Sequence, residues 1–398
     1  MKTNLVNIIS NKKILIPIFV GLSIFASIQP LFGTKSYYEG GKEYNRYNNY
    51  TIFEKSFEHL HDHKDLYRTY PEEHWDLYKY TPTFAVFFGI FHIFPDWLGL
   101  NLWNLLNVLL LVFAVYCLPK FTDLQKGWIL VFLVFELMTS IQSQQSNALL
   151  AGLFILAYGL LSRNKYMLAT LCIVFAIFVK PFGIVGFTLF LLYPKKWQSA
   201  LFALGWATIL FLLPLVFISI EEYKILYQNY FDLLASDHEK NALFQDLGTT
   251  YGYSVMGWLN SWFALENGKN YIVAFGILIF LIPLAKVNFH KDSRFQFLLL
   301  SSILIWVVIF NHKAESATYI LAMAGVSIWF VMSEKNWLNI LLFICAIIFT
   351  SLSPTDIFPK EVREEIVKPY TLKAVPCILI WLKIIFDMLA LKQLRSTH

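Results

Sequence analysis

Long runs of apolar residues, separated by short polar connections, fill most of the chain. A helix of about 20 apolar residues spans a bilayer, and shorter runs reach that length with polar flanks. Roughly 12 such runs recur, and each predicts a membrane helix. They lie at 14–32, 98–118, 127–140, 148–161, 166–179, 182–192, 201–218, 271–284, 295–310, 319–332, 338–352 and 374–391. The pattern therefore predicts an all-α polytopic integral membrane protein that forms one membrane domain over residues 1–398.

A further apolar segment covers residues 82–94 and is followed by Pro95. It is too short to cross a bilayer unaided, so we interpret it as a half-inserted or re-entrant helix. The predicted total is therefore roughly 12–13 membrane helices. The first run follows Lys12 and Lys13 and lacks a clear cleavage pattern, which favours a retained span.

The basic residues predict the orientation of these helices. They concentrate in short connections, and Lys or Arg in such connections marks the cytoplasmic side. The residues are Lys2, Lys12, Lys13, Lys120, Lys126, Arg163, Lys165, Lys195, Lys196, Lys286, Lys291, Arg294, Lys335, Lys392 and Arg395. Both termini are then cytoplasmic in a plasma (inner) membrane. The long connections 33–80, 220–270 and 353–370 are extracytoplasmic.

Composition agrees with this interpretation. Charged residues make up 15% of the chain and hydrophobic residues 57%, whereas soluble proteins carry about 25% charged residues. The four cysteines lie inside apolar runs, where they are expected to be small buried side chains. The net charge of +5 is spread over short loops, so it does not indicate nucleic-acid binding.

The outer segment 33–80 is predicted to carry two short interfacial helices. In residues 48–63, Phe53, Phe57 and Leu60 form an apolar stripe, which suits a helix lying in the membrane interface. Glu54 is one of several acids on a neighbouring face, and these acids are either a solvated surface or the source of a general base. Pro71, followed by two acids, predicts the start of the second helix.

A histidine-rich sequence in the first of these helices raises the question of metal binding. His59 and His63 are four residues apart and therefore share one helix face. A metal site needs three or four ligands, and no further ligands stand at a defined spacing. We therefore expect no cofactor, with a divalent metal as the alternative.

Polar residues at or near the ends of the predicted spans gather on the outer side. They are Gln145, Asn147, Lys180, Ser254, His312, Lys313 and Glu315. Such groups are costly at membrane depth and usually face a cavity, although they can also merely solvate helix ends. Lys180 precedes a proline between two apolar runs, and is either a snorkelling lysine or a partner for a phosphate. Glu136, inside a span, is interpreted as a structural acid.

Several short motifs resemble the C-type membrane glycosyltransferases, and more closely glycosyltransferase family 87, which includes mannosyltransferases that use polyprenol-phosphate-mannose. The resemblance lies in Asn49-Tyr50-Thr51-Ile52-Phe53, Leu66-Tyr67, Tyr78-Lys79-Tyr80-Thr81-Pro82, Gln144-Gln145-Ser146-Asn147, Val179-Lys180-Pro181, Pro194-Lys195-Lys196-Trp197, Tyr253-Ser254-Val255-Met256-Gly257 and the polar stretch from His312 to Tyr319. The resemblance implies the C-type glycosyltransferase fold.

The chain departs from the family pattern at two positions. The presumed catalytic acid of the family falls at Asn49, and asparagine is not a base at neutral pH. The family's Gly-Gln-x-Asn motif has Gln144 in place of its glycine. The resemblance therefore leaves the base open between Glu54 and Asp76, or indicates different chemistry.

The resemblance implies transfer of a hexose, such as mannose, from a polyprenyl-phosphate donor to a lipid or glycan acceptor in cell-envelope glycan synthesis. Transfer occurs at the outer face and inverts the anomeric carbon. Lys180 and His312 are assigned to the phosphate, and the remaining residues to substrate. These are Asn49, Tyr80, Gln145, Asn147, Ser254, Lys313 and Glu315. The alternatives are a flippase or transporter of lipid-linked glycans and a non-catalytic family member.

Overall fold

The computed structural model describes residues 2–32, 37–39, 41–239, 251–265 and 268–392. Helices account for 76% of the structure. Within these residues the strands form one antiparallel hairpin of β1 (Tyr37–Glu39) and β2 (Lys42–Tyr44). Parts of the predicted outer connections 33–80 and 220–270, together with Arg395, lie outside the described residues.

The first of two compact units comprises Met1–Pro119, Leu137–Ile184 and Trp197–Lys240. Here α5 packs on α2 and α7, α7 packs on α8, and α3 packs on α4. A 3-10 turn at Leu213–Val216 precedes α10. The helices are α1 (Lys2–Ser10), α2 (Lys12–Phe32), α3 (Asn48–His61), α4 (Pro82–His92), α5 (Asp96–Tyr116), the end of α6 (Asp123–Gln142), α7 (Asn147–Leu161), α8 (Tyr166–Val179), α9 (Lys196–Leu212) and α10 (Ile220–Glu239).

The second unit comprises Lys120–Glu136, Val185–Lys196 and Asn241–His398. Its α13 packs on α14 and α17. Besides the first part of α6, the helices are α11 (Val255–Phe263), α12 (Lys269–Leu281), α13 (Ser293–Ile309), α14 (Tyr319–Met332), α15 (Trp337–Cys345), α16 (Lys360–Val362) and α17 (Val375–Ala390). The 3-10 segments Ile282–Ala285, Val287–Phe289 and Ser316–Thr318 and the π-helical segments Ala346–Leu352 and Arg363–Val367 also belong here.

The predicted fold class, an all-α polytopic membrane protein, is confirmed. In the part of the chain that the structure describes, four helices are long and apolar enough to cross a membrane, namely Lys12–Phe32, Asp96–Tyr116, Asp123–Gln142 and Lys196–Val216. Eight shorter apolar helices accompany them, and every predicted apolar run is helical, with 182–192 inside the 3-10 helix Pro181–Leu192. Most side chains of Lys196–Val216 are exposed or half-buried, as suits a helix that faces lipid.

The first predicted interfacial helix forms as α3 at Asn48–His61, two residues shorter than expected. The second does not form. After Pro71 the chain makes one turn, in which the Tyr70 carbonyl accepts from the Glu73 and His74 amides. The Trp75 amide then donates to Asn48 Oδ1 at 3.2 Å, because long-range contacts with α3 replace further helical hydrogen bonds.

Candidate functional site

An aromatic core beneath α3 positions the polar residues of the first unit. The Phe53 ring makes edge contacts with Tyr80 at 4.9 Å and with Phe84 at 5.4 Å between centroids. The Trp103 ring lies 6.0 Å from the Phe53 ring. Such contacts stabilise a fixed arrangement of rings. The stripe that predicted an apolar face on α3 thus packs on α4 and α5.

The turn between α6 and α7 has the geometry of a helix C-cap with a left-handed residue. The Gln145 amide donates to the Ser140 carbonyl and the Gln144 amide to Ile141, both at 3.1 Å, and Gln144 has φ of 50°. These bonds define a Schellman motif, whose left-handed position usually carries glycine. A left-handed backbone conformation therefore explains the family's glycine at this position, and Gln144 adopts that conformation.

Two side chains fix this turn from neighbouring helices. The Trp103 indole donates to the Gln144 carbonyl at 2.8 Å. Asn49 lies in the first turn of α3, and its side-chain amide donates to the Ser143 carbonyl at 2.8 Å. Asn49 is therefore a hydrogen-bond donor to the backbone, a role that an ionised aspartate cannot fill.

Four residues predicted for the site come together at this end of the unit. The Lys180 ammonium donates to Asn147 Oδ1 at 2.9 Å and lies 5.8 Å from the centre of the Tyr80 ring. The side-chain amide of Asn147 donates to Gln145 Oε1 at 3.4 Å. Lys180 caps the C-terminus of α8 with extended backbone, as expected before a proline. We call Tyr80, Gln145, Asn147 and Lys180 the lysine cluster.

The turn that starts at Pro71 is held against the hairpin and α3. The Tyr44 hydroxyl donates to the Pro71 carbonyl at 2.8 Å, and His59 Nε2 lies 2.8 Å from Glu73 Oε2. Burial lowers the pKa of the His59 imidazole, although Glu73 opposes this effect. Asp76 follows this turn and precedes Tyr80 by four residues. The Asp76 carboxylate accepts from the Lys79 ammonium at 2.9 and 3.0 Å.

Glu54, the other candidate base, faces a different group of side chains. Its carboxylate contacts His92 Nδ1 at the end of α4, and its second oxygen lies 3.9 Å from the Lys55 ammonium. Burial raises the pKa of the Glu54 carboxyl, against the opposing charges of Lys55 and His92. The lysine cluster lies beside the first turn of α4, whereas His92 ends that helix roughly 15 Å further along its axis.

Metal ligands can be drawn from this second group. Among the described residues, Glu54, Glu58 and His92 offer ligand atoms that all lie within 4.8 Å of one another. The Lys55 ammonium already contacts Glu58 at 2.5 Å and therefore compensates its charge. The pair His59 and His63, considered from the sequence, does not converge, because His63 Nδ1 lies 3.0 Å from Glu222 on α10.

In the second unit, the predicted Ser254 is a buried helix cap. Its hydroxyl accepts from the Gly257 amide at 3.1 Å and donates to the Tyr251 carbonyl at 2.7 Å. Gly257 is required because a Cβ atom there would stand 2.1 Å from the Gly252 carbonyl oxygen. The Ser-x-x-Gly motif thus has a structural explanation, and a role of Ser254 in substrate binding stays a prediction.

His312, Lys313 and Glu315 lie in the connection between α13 and α14. His312 and Lys313 are half-buried and Glu315 is exposed. The Tyr253 amide donates to the Ala314 carbonyl at 3.0 Å, which joins this connection to the Ser254 cap. A role of these three residues in substrate binding stays a prediction.

Two charged residues with prominent contacts were not selected from the sequence. His92 stands at the end of an apolar segment, and its contact with Glu54 depends on how α3 packs on α4. Lys373 forms a buried ion pair with Glu136. An isolated lysine beside an apolar run was a visible signal, but its partner is 237 positions away.

Comparison with known proteins shows the class. A family model described as glycosyltransferase family 87 matches residues 78–310, more than half of the 398-residue chain. A multi-pass membrane glycosyltransferase is therefore the class that fold and match define together. The chain belongs to glycosyltransferase family 87, and the predicted resemblance is confirmed. No curated protein matches the chain.

The family match covers the whole lysine cluster and ends before His312. It begins after Asn49, Glu54 and Asp76, so family membership does not by itself assign the base. That assignment depends on geometry.

The contact between Asn49 and Ser143 carries a prediction about the position of the family's acid. Asn49→Asp is expected to destabilise the protein by about 1 kcal/mol. A lost donor facing a carbonyl costs about 1–3 kcal/mol, and the acid's interaction with the α3 N-terminus returns roughly 0.3–1 kcal/mol. Thermal unfolding in detergent measures the difference. Asn49→Ala is the matched control, which loses the same donor without the favourable charge at the α3 N-terminus and is therefore expected to lose at least as much stability. An Asn49→Asp protein more stable than the parent contradicts this role.

Proposed function

We propose that the chain transfers a hexose, with mannose as the first candidate, from a polyprenyl-phosphate donor to a lipid or glycan acceptor. Transfer takes place at the outer face of the membrane and inverts the anomeric carbon. Both termini are cytoplasmic in this proposal. The observation that carries it is the lysine cluster, which combines one cation, two amides and an aromatic ring at the ends of apolar helices.

Each member of the lysine cluster has a chemical role in this proposal. The Lys180 ammonium binds the donor phosphate and stabilises the negative charge that develops as this group leaves. The amides of Asn147 and Gln145 bind sugar hydroxyls, and the Tyr80 ring packs against the sugar. In the bound state Lys180 exchanges part of its contact with Asn147 for the phosphate.

The acceptor hydroxyl must lose a proton, and we assign this step to Asp76. Asp76 stands four residues before Tyr80 of the lysine cluster, which limits the distance between their Cα atoms to about 13 Å. Glu54 is less suitable because its carboxylate contacts His92, which ends α4 at the far end from the lysine cluster.

The experiment is a transfer assay with the full chain in lipid nanodiscs. Polyprenyl-phosphate mannose and glucose are compared with the corresponding nucleotide sugars, in the presence of an extracted lipid and glycan acceptor mixture. The proposal expects inverted product from a polyprenyl-phosphate donor alone. If no donor supports transfer, and the chain instead moves lipid-linked glycans across vesicle membranes, the transporter alternative replaces it.

A further inference from the structure

Two oppositely charged side chains meet in the interior of the second unit. The Lys373 ammonium donates to Glu136 Oε1 at 2.7 Å, with 1% and 0% of these residues exposed. The second oxygen of Glu136 has no hydrogen-bond partner among the described residues. Ionisable groups inside membrane proteins are expensive and often have a function. None of the chemistry assigned above uses this pair.

Lys373 also contacts the backbone of an irregular helix. Its ammonium donates to the Thr350 carbonyl at 2.7 Å, and the Thr350 hydroxyl donates back to the Lys373 carbonyl at 2.8 Å. Thr350 lies in the π-helical segment Ala346–Leu352. π-Helical segments frequently accompany functional sites. The segment thus locks the position of the lysine.

From Lys373 the contacts lead to the polar turns of the unit. Its ammonium stands 5.0 Å from the centre of the Tyr319 ring, within the range of a cation–π interaction. The Tyr319 hydroxyl donates to the Tyr253 carbonyl at 2.8 Å. The backbone amide of Tyr253 in turn donates to the Ala314 carbonyl. Hydrogen bonds therefore link the Tyr319 hydroxyl to the turn before α11, and this turn to the connection before α14.

The segment that carries Lys373 also holds the other end of α11. The Trp262 indole donates to the Tyr370 carbonyl at 2.8 Å, and the Ser261 and Thr371 hydroxyls lie 3.2 Å apart. Residues 370–373 therefore contact α11 directly at its end, and reach its start through Tyr319.

We infer that the Glu136–Lys373 pair is a positioning device that acts through Tyr319. It orients the Tyr319 ring, whose hydroxyl sets the Tyr253–Ser254 turn and thereby the connection that carries His312 and Lys313. In one respect the inference rests on the proposed function, because its link to substrate needs the sequence prediction that His312 and Lys313 bind the donor or the acceptor. A purely structural ion pair is the competing explanation, because buried pairs are weak evidence for stability.

A double variant separates the two explanations in the full chain. Glu136→Leu with Lys373→Met removes both charges, so no unpaired charge remains and the melting temperature stays near the parental value. Hydrogen exchange of the amides at 253–257 is expected to accelerate at least tenfold, about one hydrogen bond's effect. Parental exchange in a folded double variant overturns the inference.

Tyr319→Phe keeps the ion pair and the ring but removes the hydroxyl. It is expected to show the same fast exchange at 253–257, and it serves as the test if the double variant fails to fold. The matched control removes the Lys383–Asp387 pair on α17 and leaves this exchange unchanged. Parental exchange in Tyr319→Phe overturns the inference as well.

A kinetic measurement tests whether the Glu136–Lys373 pair affects sugar transfer. In both variants KM for donor or acceptor is expected to rise roughly tenfold with little change in kcat. Parental KM together with fast exchange removes the link to substrate and thereby overturns the positioning role. Absence of transfer by the parental protein refutes the proposed function, whereas the exchange result stands independently.

Discussion

Lys180→Ala is expected to lower kcat/KM for the polyprenyl-phosphate donor by about tenfold to a hundredfold. The reason is the loss of a charge-assisted contact to phosphate, worth about 1.5–3 kcal/mol, and each 1.4 kcal/mol corresponds to a factor of ten. Lys180→Arg keeps the charge and should retain part of the activity. Initial rates over a range of donor concentrations give kcat/KM for both variants.

Lys165→Ala is the matched control for this prediction. Lys165 precedes the first residue of α8, is exposed, and lies at the opposite end of that helix from Lys180. Its replacement should leave kcat/KM unchanged. An unchanged kcat/KM in Lys180→Ala removes Lys180 from the donor site, and an equal loss in both variants attributes the effect to the helix.

Asp76→Asn is expected to reduce the transfer rate by about 10²–10⁴, the usual effect of removing a general base. Donor affinity should stay at the parental value, because the lysine cluster is unaltered. Single-turnover rates measure the first quantity, and binding of a non-transferable donor analogue measures the second.

Glu54→Gln serves as the paired control, since it alters the other candidate carboxylate without changing its volume. It is expected to transfer sugar at close to the parental rate. The opposite pattern, with Glu54→Gln inactive and Asp76→Asn active, returns the base to α3. Parental rates in both single variants exclude either carboxylate as an indispensable base.

Much of the fold follows from local patterns in the sequence. The apolar runs predicted the helices because burial and backbone hydrogen bonding act along the segment itself. The stripe around Phe53 predicted α3 to within two residues. The prediction of a second interfacial helix was wrong. Glu73 contacts His59 and Trp75 contacts Asn48, and local helix propensity does not encode such long-range contacts.

In the candidate site too, local motifs could be predicted from the sequence and long-range contacts could not. Short motifs identified Lys180 and Asn147 separately, whereas their 2.9 Å contact depends on how α7 packs on α8. The family's acid position could be located at Asn49 from sequence. The hydrogen bond from Asn49 to Ser143 could not be predicted, because the two residues are distant in the chain. Ser254 stood out as a polar residue, and only its partners identify it as a cap.

The most direct test of the donor assignment is a structure of the full chain with a non-transferable polyprenyl-phosphate sugar analogue bound. The proposal predicts a phosphate oxygen within about 3 Å of Lys180 Nζ, the distance of a charge-assisted hydrogen bond. The sugar then contacts Asn147 or Gln145, with the Asp76 carboxylate on the acceptor side. A phosphate bound away from Lys180, with this lysine still donating to Asn147 alone, contradicts the account.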